Sequence, residues 1–109
     1  LISMRRTGKP IAMCTAYNHP QAAHCERAGV HVILVGDSVG MVELGYDTTQ
    51  PVTLDEIAHH SKAVARGART PMLLADMPLG SYEVTPEEAL RNAYRLAQST
   101  RWLYACAAQ

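Results

Sequence analysis

The chain has 109 residues, equal numbers of basic and acidic side chains (10 each) and a formal net charge of zero. This length suits one small domain or part of a larger one, and a hydrophobic fraction of 48% is too high for a disordered chain. The balanced charge argues against nucleic-acid binding, and no apolar run is long enough for a membrane span. The three cysteines lack C-x-x-C spacing, which disfavours a disulfide framework and a zinc–thiolate site. Cys14 and Cys25 are expected to be small buried hydrophobes.

Strand-like and helix-like segments alternate in the first half of the chain. Residues 11–17 are predicted to form a strand, and residues 20–28 a helix that ends before Gly29. Residues 31–36 are apolar without alternation, which is typical of a strand buried on both faces. Residues 38–52 are rich in glycine and proline, and we expect a long loop there.

The clearest helix signal follows this loop. Thr53 and Glu56 have the spacing of a capping box, and they predict a helix over residues 54–66 that Gly67 is placed to end. The residues that recur at helical spacing, and that we expect to form its apolar face, are Leu54, Ile57, Ala58, Ser61 and Val64.

The last predicted elements are a strand over residues 71–75 and a helix that Thr85 caps and that runs to about Gln98. The order β-α-β-loop-α-β-loop-α is typical of a parallel α/β fold. A (β/α)8 barrel and an open doubly wound sheet are both compatible with this order. The predicted apolar stripe of the last helix consists of Ala89, Leu90, Ala93, Leu96 and Ala97.

Polar side chains follow the second and third predicted strands. Asp37 and Asp76 each come directly after a strand, and ligands of both parallel architectures bind at the carboxyl ends of the strands. Two carboxylates that converge there suit Mg²⁺, which takes few protein carboxylates and keeps several waters. Ser38 is placed to donate a hydrogen bond to a bound carboxylate. The alternative is that both Asp residues and Ser38 only form turns or cap helices.

Other site types have weaker support. The glycines at 36 and 40 do not match a dinucleotide-binding loop, and the sequence has no phosphate-loop or nucleophile-elbow motif. His59 and His60 are adjacent on a predicted helix, so they point about 100° apart and do not form an i, i+4 zinc motif. We expect both at the surface or at an interface.

Several segments, in this order, resemble the ketopantoate hydroxymethyltransferase family. The resemblance covers about residues 5–98. We interpret residues 1–98 as the N-terminal part of that family's barrel and residues 99–109 as a divergent tail. The matching segments are TAY at 15–17, VILVGDSVGM at 32–41, GYDTT at 45–49, PVT at 51–53, VARGA at 64–68 and ADMP at 75–78.

The resemblance implies a TIM (β/α)8 barrel of the phosphoenolpyruvate mutase/isocitrate lyase type, of which this chain supplies about the first three β/α units. It implies hydroxymethyl transfer from 5,10-methylenetetrahydrofolate to 3-methyl-2-oxobutanoate, which gives 2-dehydropantoate in pantothenate and coenzyme A biosynthesis. In the family pattern, Asp37 and Asp76 correspond to ligands of Mg²⁺, and Asp37, Ser38 and Asp76 to contacts of the keto acid. The family also implies a decamer-type homo-oligomer, no nucleic-acid or membrane partner, and a cytoplasmic or mitochondrial location.

The sequence departs from the family at Asn18, where Asp is usual, at Leu79, where Phe is usual, and throughout the tail. The family continues with a strand of the form A-V-K-L-E-G-G, which carries a substrate-binding Lys and a metal-linked Glu, and its catalytic Glu lies further downstream. None of these has a counterpart in residues 99–109, so the resemblance assigns no catalytic base here. About three barrel strands would leave two sheet edges unpaired, which predicts instability or self-association. Two alternatives are therefore a truncated, inactive form of the enzyme and another Mg²⁺-dependent enzyme that acts on C–C bonds of a 2-oxo acid.

Overall fold

The computed structural model describes residues 1–100 and the backbone of a strand at residues 103–107. No helix within these residues is both long and apolar enough to cross a membrane. In chain order the elements are α1 (Ile2–Arg6), β1 (Met13–Thr15), α2 (His19–Arg27), β2 (Val32–Val35), α3 (Val39–Val42), α4 (Leu54–Gly67), β3 (Met72–Met77), α5 (Pro86–Gln98) and β4 (Leu103–Ala107).

The strands form one parallel sheet in the order β1-β2-β3-β4. Strand order that follows chain order without a reversal is the arrangement of a barrel, whereas a doubly wound sheet reverses its order at a switch point. The three predicted strands are confirmed. The strand β4 was not predicted from the sequence, and it continues the sheet beside β3.

The sheet has one face packed against helices and one more open face. Along β3, Leu73, Ala75 and Met77 are buried, while the residues between them are only partly buried. Because successive strand side chains point to opposite faces, Asp76 lies on the more open face, which also carries Leu74. The helix-covered face packs its side chains against a core cluster that includes Ile33, Ile57, Val64, Leu73 and Leu96.

The predicted start of α2 is confirmed within one residue. The side chain of Asn18 accepts a hydrogen bond from the Gln21 backbone N–H at 2.9 Å, which satisfies one of the free donors of the first turn. Asn18 therefore provides the same cap that the family's usual Asp would provide. Gly29 follows the helix with a φ of 74°, as expected for a residue just past a helix end.

The capping box of α4 is confirmed. The Thr53 hydroxyl accepts the Glu56 N–H at 3.2 Å, and the Glu56 carboxylate accepts the Thr53 N–H at 2.8 Å. The predicted apolar face is buried except at Leu54, which is partly buried. The predicted role of Gly67 is wrong, because Gly67 is the last helical residue and the cap is Ala68 in an extended conformation. Gly67 instead lies where α4 passes very close to the start of α2.

Replacing Thr53 with Ala is expected to lower the free energy of unfolding by about 1 kcal/mol, because the first turn of α4 loses its side-chain acceptor. Urea denaturation followed by circular dichroism measures the change. Thr48→Ala is the matched control, since Thr48 is an exposed loop residue and its substitution should change the value by less than about 0.5 kcal/mol. Equal losses in the two variants would contradict a capping role for Thr53.

Three other sequence predictions need correction. The predicted loop at 38–52 contains α3, whose Val39 is buried in the core. Cys14 is exposed, because it lies on the edge strand β1, whose residues are all exposed, whereas Cys25 is buried as expected. The stripe of α5 is only partly correct: Leu90 is 58% exposed, and the core contacts of the helix are made by Ala93 and Leu96.

Candidate functional site

Asp37 and Asp76 meet at the carboxyl edge of the sheet. Asp37 lies two residues beyond the end of β2, and Asp76 is the second-last residue of β3 rather than the first residue after it. The Asp37 backbone N–H donates a hydrogen bond to Oδ2 of Asp76 at 3.2 Å. The structure therefore places the Asp76 carboxylate against the backbone of Asp37, close enough for the charge of Asp37 to act on it.

Two side chains of the candidate site approach Gly36 closely. A Cβ atom at this position would lie 3.0 Å from Oγ of Ser38 and 3.2 Å from Oδ2 of Asp76. Both distances are shorter than ordinary contacts, so a larger residue would push against these two oxygens. With glycine at this position, the Ser38 hydroxyl and the Asp76 carboxylate border the same small space. The three predicted site residues are thus neighbours.

The electrostatics of the pair fit a cation. Burial raises the pKa of the Asp76 carboxyl above its ordinary value, the N–H of Asp37 partly opposes this, and the negative charge of Asp37 raises the pKa further. A divalent cation between the two carboxylates would relieve both unfavourable effects. Within residues 1–100, no group of three or more His, Cys, Asp or Glu side chains could hold a metal ion. Two hard oxygen ligands are, however, the donor set with which Mg²⁺ retains bound waters.

The raised pKa of Asp76 gives a pH-dependent prediction for stability. The folded state holds the Asp76 proton more tightly than the unfolded state, so this group favours folding at pH values below its unfolded pKa and loses that contribution as pH rises through its folded pKa. In metal-free buffer, Asp76→Asn should therefore be more stable than the wild-type chain at pH 7. The difference should disappear toward pH 3. Urea denaturation between pH 3 and pH 7 measures this difference in the free energy of unfolding. An Asp76→Asn variant less stable than wild type at pH 7 would contradict the prediction.

Two side chains at the site were not predicted from the sequence. The hydroxyl of Tyr17, a residue that follows β1, lies 2.7 Å from Oγ of Ser38. Nδ1 of His60, on α4, lies 2.7 Å from the Tyr17 carbonyl oxygen. The prediction for His60 of a surface or interface position is partly correct, since it is partly buried against the segment after β1. The family-like segment TAY at 15–17 was the signal that could have pointed to Tyr17.

The segment that follows Ser38 is anchored to α4. The Tyr46 N–H donates to the Gly40 carbonyl at 2.8 Å, and the Tyr46 hydroxyl donates to Oε1 of Glu56 at 2.5 Å. This hydrogen bond lowers the pKa of Glu56 and raises that of Tyr46 from their ordinary values. Gly40 is required where the segment packs, because a Cβ would lie 2.4 Å from a methyl group of Val52. The segment that follows Ser38 is therefore held by packing at Gly40 and by the hydrogen bond from Tyr46 to α4.

The fold places the chain in a known class of α/β-barrel proteins. Two crystal forms of 2,3-dimethylmalate lyase, a PEP mutase/isocitrate lyase superfamily member, match 90% of this chain with TM-scores of 0.59 and 0.58 at 18% and 17% sequence identity. The match covers 35% and 36% of those chains. The chain thus has the fold of about a third of these proteins.

Sequence comparison identifies the family within that class. The family described as ketopantoate hydroxymethyltransferase matches residues 1–103, and the chain belongs to this family. It is 55% identical over 97 residues to the 3-methyl-2-oxobutanoate hydroxymethyltransferase of Geobacillus kaustophilus (strain HTA426), and 50% identical over 99 residues to that of Bacillus cereus (strain AH187). These alignments cover 89% and 91% of this chain but only 35% and 36% of the relatives, so the chain spans about a third of their length.

Proposed function

We propose that this chain supplies the side chains that bind the metal and the keto acid in a hydroxymethyl transfer. In this proposal the hydroxymethyl group moves from 5,10-methylenetetrahydrofolate to 3-methyl-2-oxobutanoate. The product is 2-dehydropantoate, for pantothenate biosynthesis. The observation that carries the proposal is the 3.2 Å hydrogen bond that joins Asp37 to Asp76 at the carboxyl edge of the sheet. Membership of the family and the names of the relatives support the same reaction.

Each of the three residues has a separate task in this proposal. Asp37 and Asp76 hold Mg²⁺, and Asp76 is partly buried on the more open face of the sheet. When bound, the cation supplies Lewis-acid stabilisation of the negative charge that develops on the keto oxygen as the C3 proton leaves. Ser38 donates a hydrogen bond to the carboxylate of the keto acid. We assign proton removal to none of these three residues.

Metal binding by the 109-residue chain tests the proposal, with Mn²⁺ as a paramagnetic probe of the Mg²⁺ site. Titration followed by electron paramagnetic resonance should reveal one Mn²⁺ site whose affinity rises when 3-methyl-2-oxobutanoate is added. Because linkage is reciprocal, Mn²⁺ should raise the affinity for the keto acid by the same factor. A well-folded chain with no such mutual effect would overturn the proposal.

Two comparisons separate the competing interpretations. A stronger effect of 2,3-dimethylmalate than of 3-methyl-2-oxobutanoate on Mn²⁺ affinity would favour another C–C bond reaction of the superfamily. Addition of 5,10-methylenetetrahydrofolate then tests turnover. Formation of 2-dehydropantoate would extend the role of the chain to catalysis, whereas intact keto-acid binding without product would restrict it to binding.

A further inference from the structure

The Tyr17 phenol is positioned to orient the Ser38 hydroxyl. The two oxygens are 2.7 Å apart, and Tyr17 is only 7% exposed. Its hydroxyl thus forms this hydrogen bond in a largely dry environment, where such a bond is stronger than in water. Ser38 is only partly buried and borders the space above Gly36. The Tyr17 hydroxyl therefore contacts the site through the Ser38 hydroxyl.

The direction of this hydrogen bond decides what Ser38 can offer to a ligand. A serine hydroxyl has one proton and two acceptor lone pairs. If that proton is donated to Tyr17, none is left for a carboxylate at the site. A phenol hydroxyl is more acidic than an aliphatic alcohol and is the better donor. With Tyr17 as donor, the Ser38 oxygen is satisfied as an acceptor and its own proton is free for the ligand.

The backbone of Tyr17 is fixed on both sides. Its N–H donates to Oε1 of Gln21 at 2.8 Å, and its carbonyl oxygen lies 2.7 Å from Nδ1 of His60. A carbonyl oxygen only accepts hydrogen bonds, so Nδ1 of His60 carries the proton. Gln21 is on α2 and His60 is on α4, so two helices set the place of the Tyr17 peptide.

We propose that Tyr17 is a positioning residue that directs the Ser38 proton toward the keto-acid carboxylate, and that His60 holds Tyr17 in place. This inference rests on the proposed function, in which Ser38 contacts the keto acid. Tyr17 acts only through Ser38. Loss of the phenol hydroxyl should therefore weaken keto-acid binding and leave metal binding by Asp37 and Asp76 unchanged.

The experiment compares Tyr17→Phe, Ser38→Ala and the double variant of the 109-residue chain. Tyr17→Phe keeps the buried ring and removes the hydroxyl. We expect its Mn²⁺ affinity without keto acid to be unchanged and its affinity for 3-methyl-2-oxobutanoate in the presence of Mn²⁺ to fall about fivefold, the usual effect of one neutral hydrogen bond. Ser38→Ala should lower keto-acid affinity at least as much, and the double variant should lower it no further than Ser38→Ala alone.

His60 gives a second, independent set of variants. In His60→Asn the side-chain amide can still donate to the Tyr17 carbonyl, whereas in His60→Leu this donor is lost. We expect His60→Leu to weaken keto-acid binding about as much as Tyr17→Phe, and His60→Asn to restore most of it. Lys62→Leu is the matched control, because Lys62 is an exposed residue on the same helix, and it should bind the keto acid like the wild-type chain.

The outcomes distinguish failure of this inference from failure of the proposed function. If Ser38→Ala weakens keto-acid binding but Tyr17→Phe does not, the inference is overturned and the proposed function stands. If Tyr17→Phe weakens Mn²⁺ binding without keto acid, or if the two substitutions are additive, Tyr17 has a general structural role and the inference is also overturned. If neither Ser38→Ala nor Asp37→Asn changes keto-acid affinity, the proposed function itself fails.

Discussion

Asp37→Asn and Asp76→Asn are each expected to weaken Mn²⁺ binding by about 100-fold, since even the loss of a residue that only orients a metal ligand typically costs 10–100-fold. An amide keeps the size of the carboxylate and removes its negative charge. The Asp76→Asn variant still offers an oxygen to the Asp37 N–H, so the local backbone should be preserved. Electron paramagnetic resonance titration of Mn²⁺, with a competing titration of Mg²⁺, measures the loss.

The matched control for this prediction is Asp47→Asn. Asp47 is an exposed loop residue, and its substitution removes one negative charge without touching the pair. It should leave Mn²⁺ affinity within about twofold of wild type, because salt largely screens the effect of an exposed charge that does not contact the metal. If Asp47→Asn weakens binding as much as the two site variants do, the metal binds through general surface charge and not at the Asp37–Asp76 pair.

The Asp76→Asn variant should also separate binding from stability. The raised pKa of Asp76 makes its charged form unfavourable in the metal-free fold, so the same substitution that removes metal binding should stabilise the free chain at pH 7. Opposite effects on binding and stability are typical of residues that are retained for function. A structural carboxylate would lose stability on this substitution.

Gly67→Ala is expected to destabilise the chain by about 1–3 kcal/mol, as overpacking of a core typically does. Helix propensity alone predicts the opposite sign, a gain of at most about 1 kcal/mol, the value for Gly to Ala in a helix interior, because Gly67 is the last residue of the helix. The structure decides between them, because a Cβ at Gly67 would lie 2.3 Å from the His19 carbonyl oxygen and 2.9 Å from Cβ of Ala22. Neither atom is the end of a flexible side chain, so α2 and α4 would have to move apart.

Urea denaturation of the 109-residue chain measures this effect. Lys62→Ala is the control on the same helix, since Lys62 is exposed and its substitution should change the free energy of unfolding by less than about 0.5 kcal/mol. A Gly67→Ala variant more stable than wild type would mean that the two helices do not approach this closely. Separation of the helices would also pull His60 away from the Tyr17 carbonyl, so keto-acid binding should weaken in the same variant.

Elements with local start signals were the most predictable from the sequence. The bounds of α5 agree with the prediction at both ends, and α4 begins at its capping box, because cap residues act on backbone groups only three positions away. The helix α3 was missed because the glycines around it indicate a loop, whereas Val39 is drawn into the core by tertiary packing. The strand β4 gains its partners only from β3, and no local pattern specifies that pairing.

The part of the site that follows from sheet topology was predictable from the sequence. The topology of a parallel sheet brings strand ends together, so Asp37 and Asp76 were identified without knowledge of contacts. Tyr17 and His60 were not, since their hydrogen bond joins residues 43 positions apart and depends on how α4 packs against the segment after β1. Gly67 was predicted only to end α4, because nothing in the sequence around it indicates the close approach to His19.

Glu56 connects the first turn of α4 to the backbone that leaves the site. One of its carboxylate oxygens accepts the Thr53 N–H, and the other accepts the Tyr46 hydroxyl. A local opening of α4 at its N-terminus therefore also releases Tyr46, and with it the segment that begins at Gly40. The helix start and this segment behave as one cooperative unit, so a ligand that orders one of them also protects the amide protons of the other.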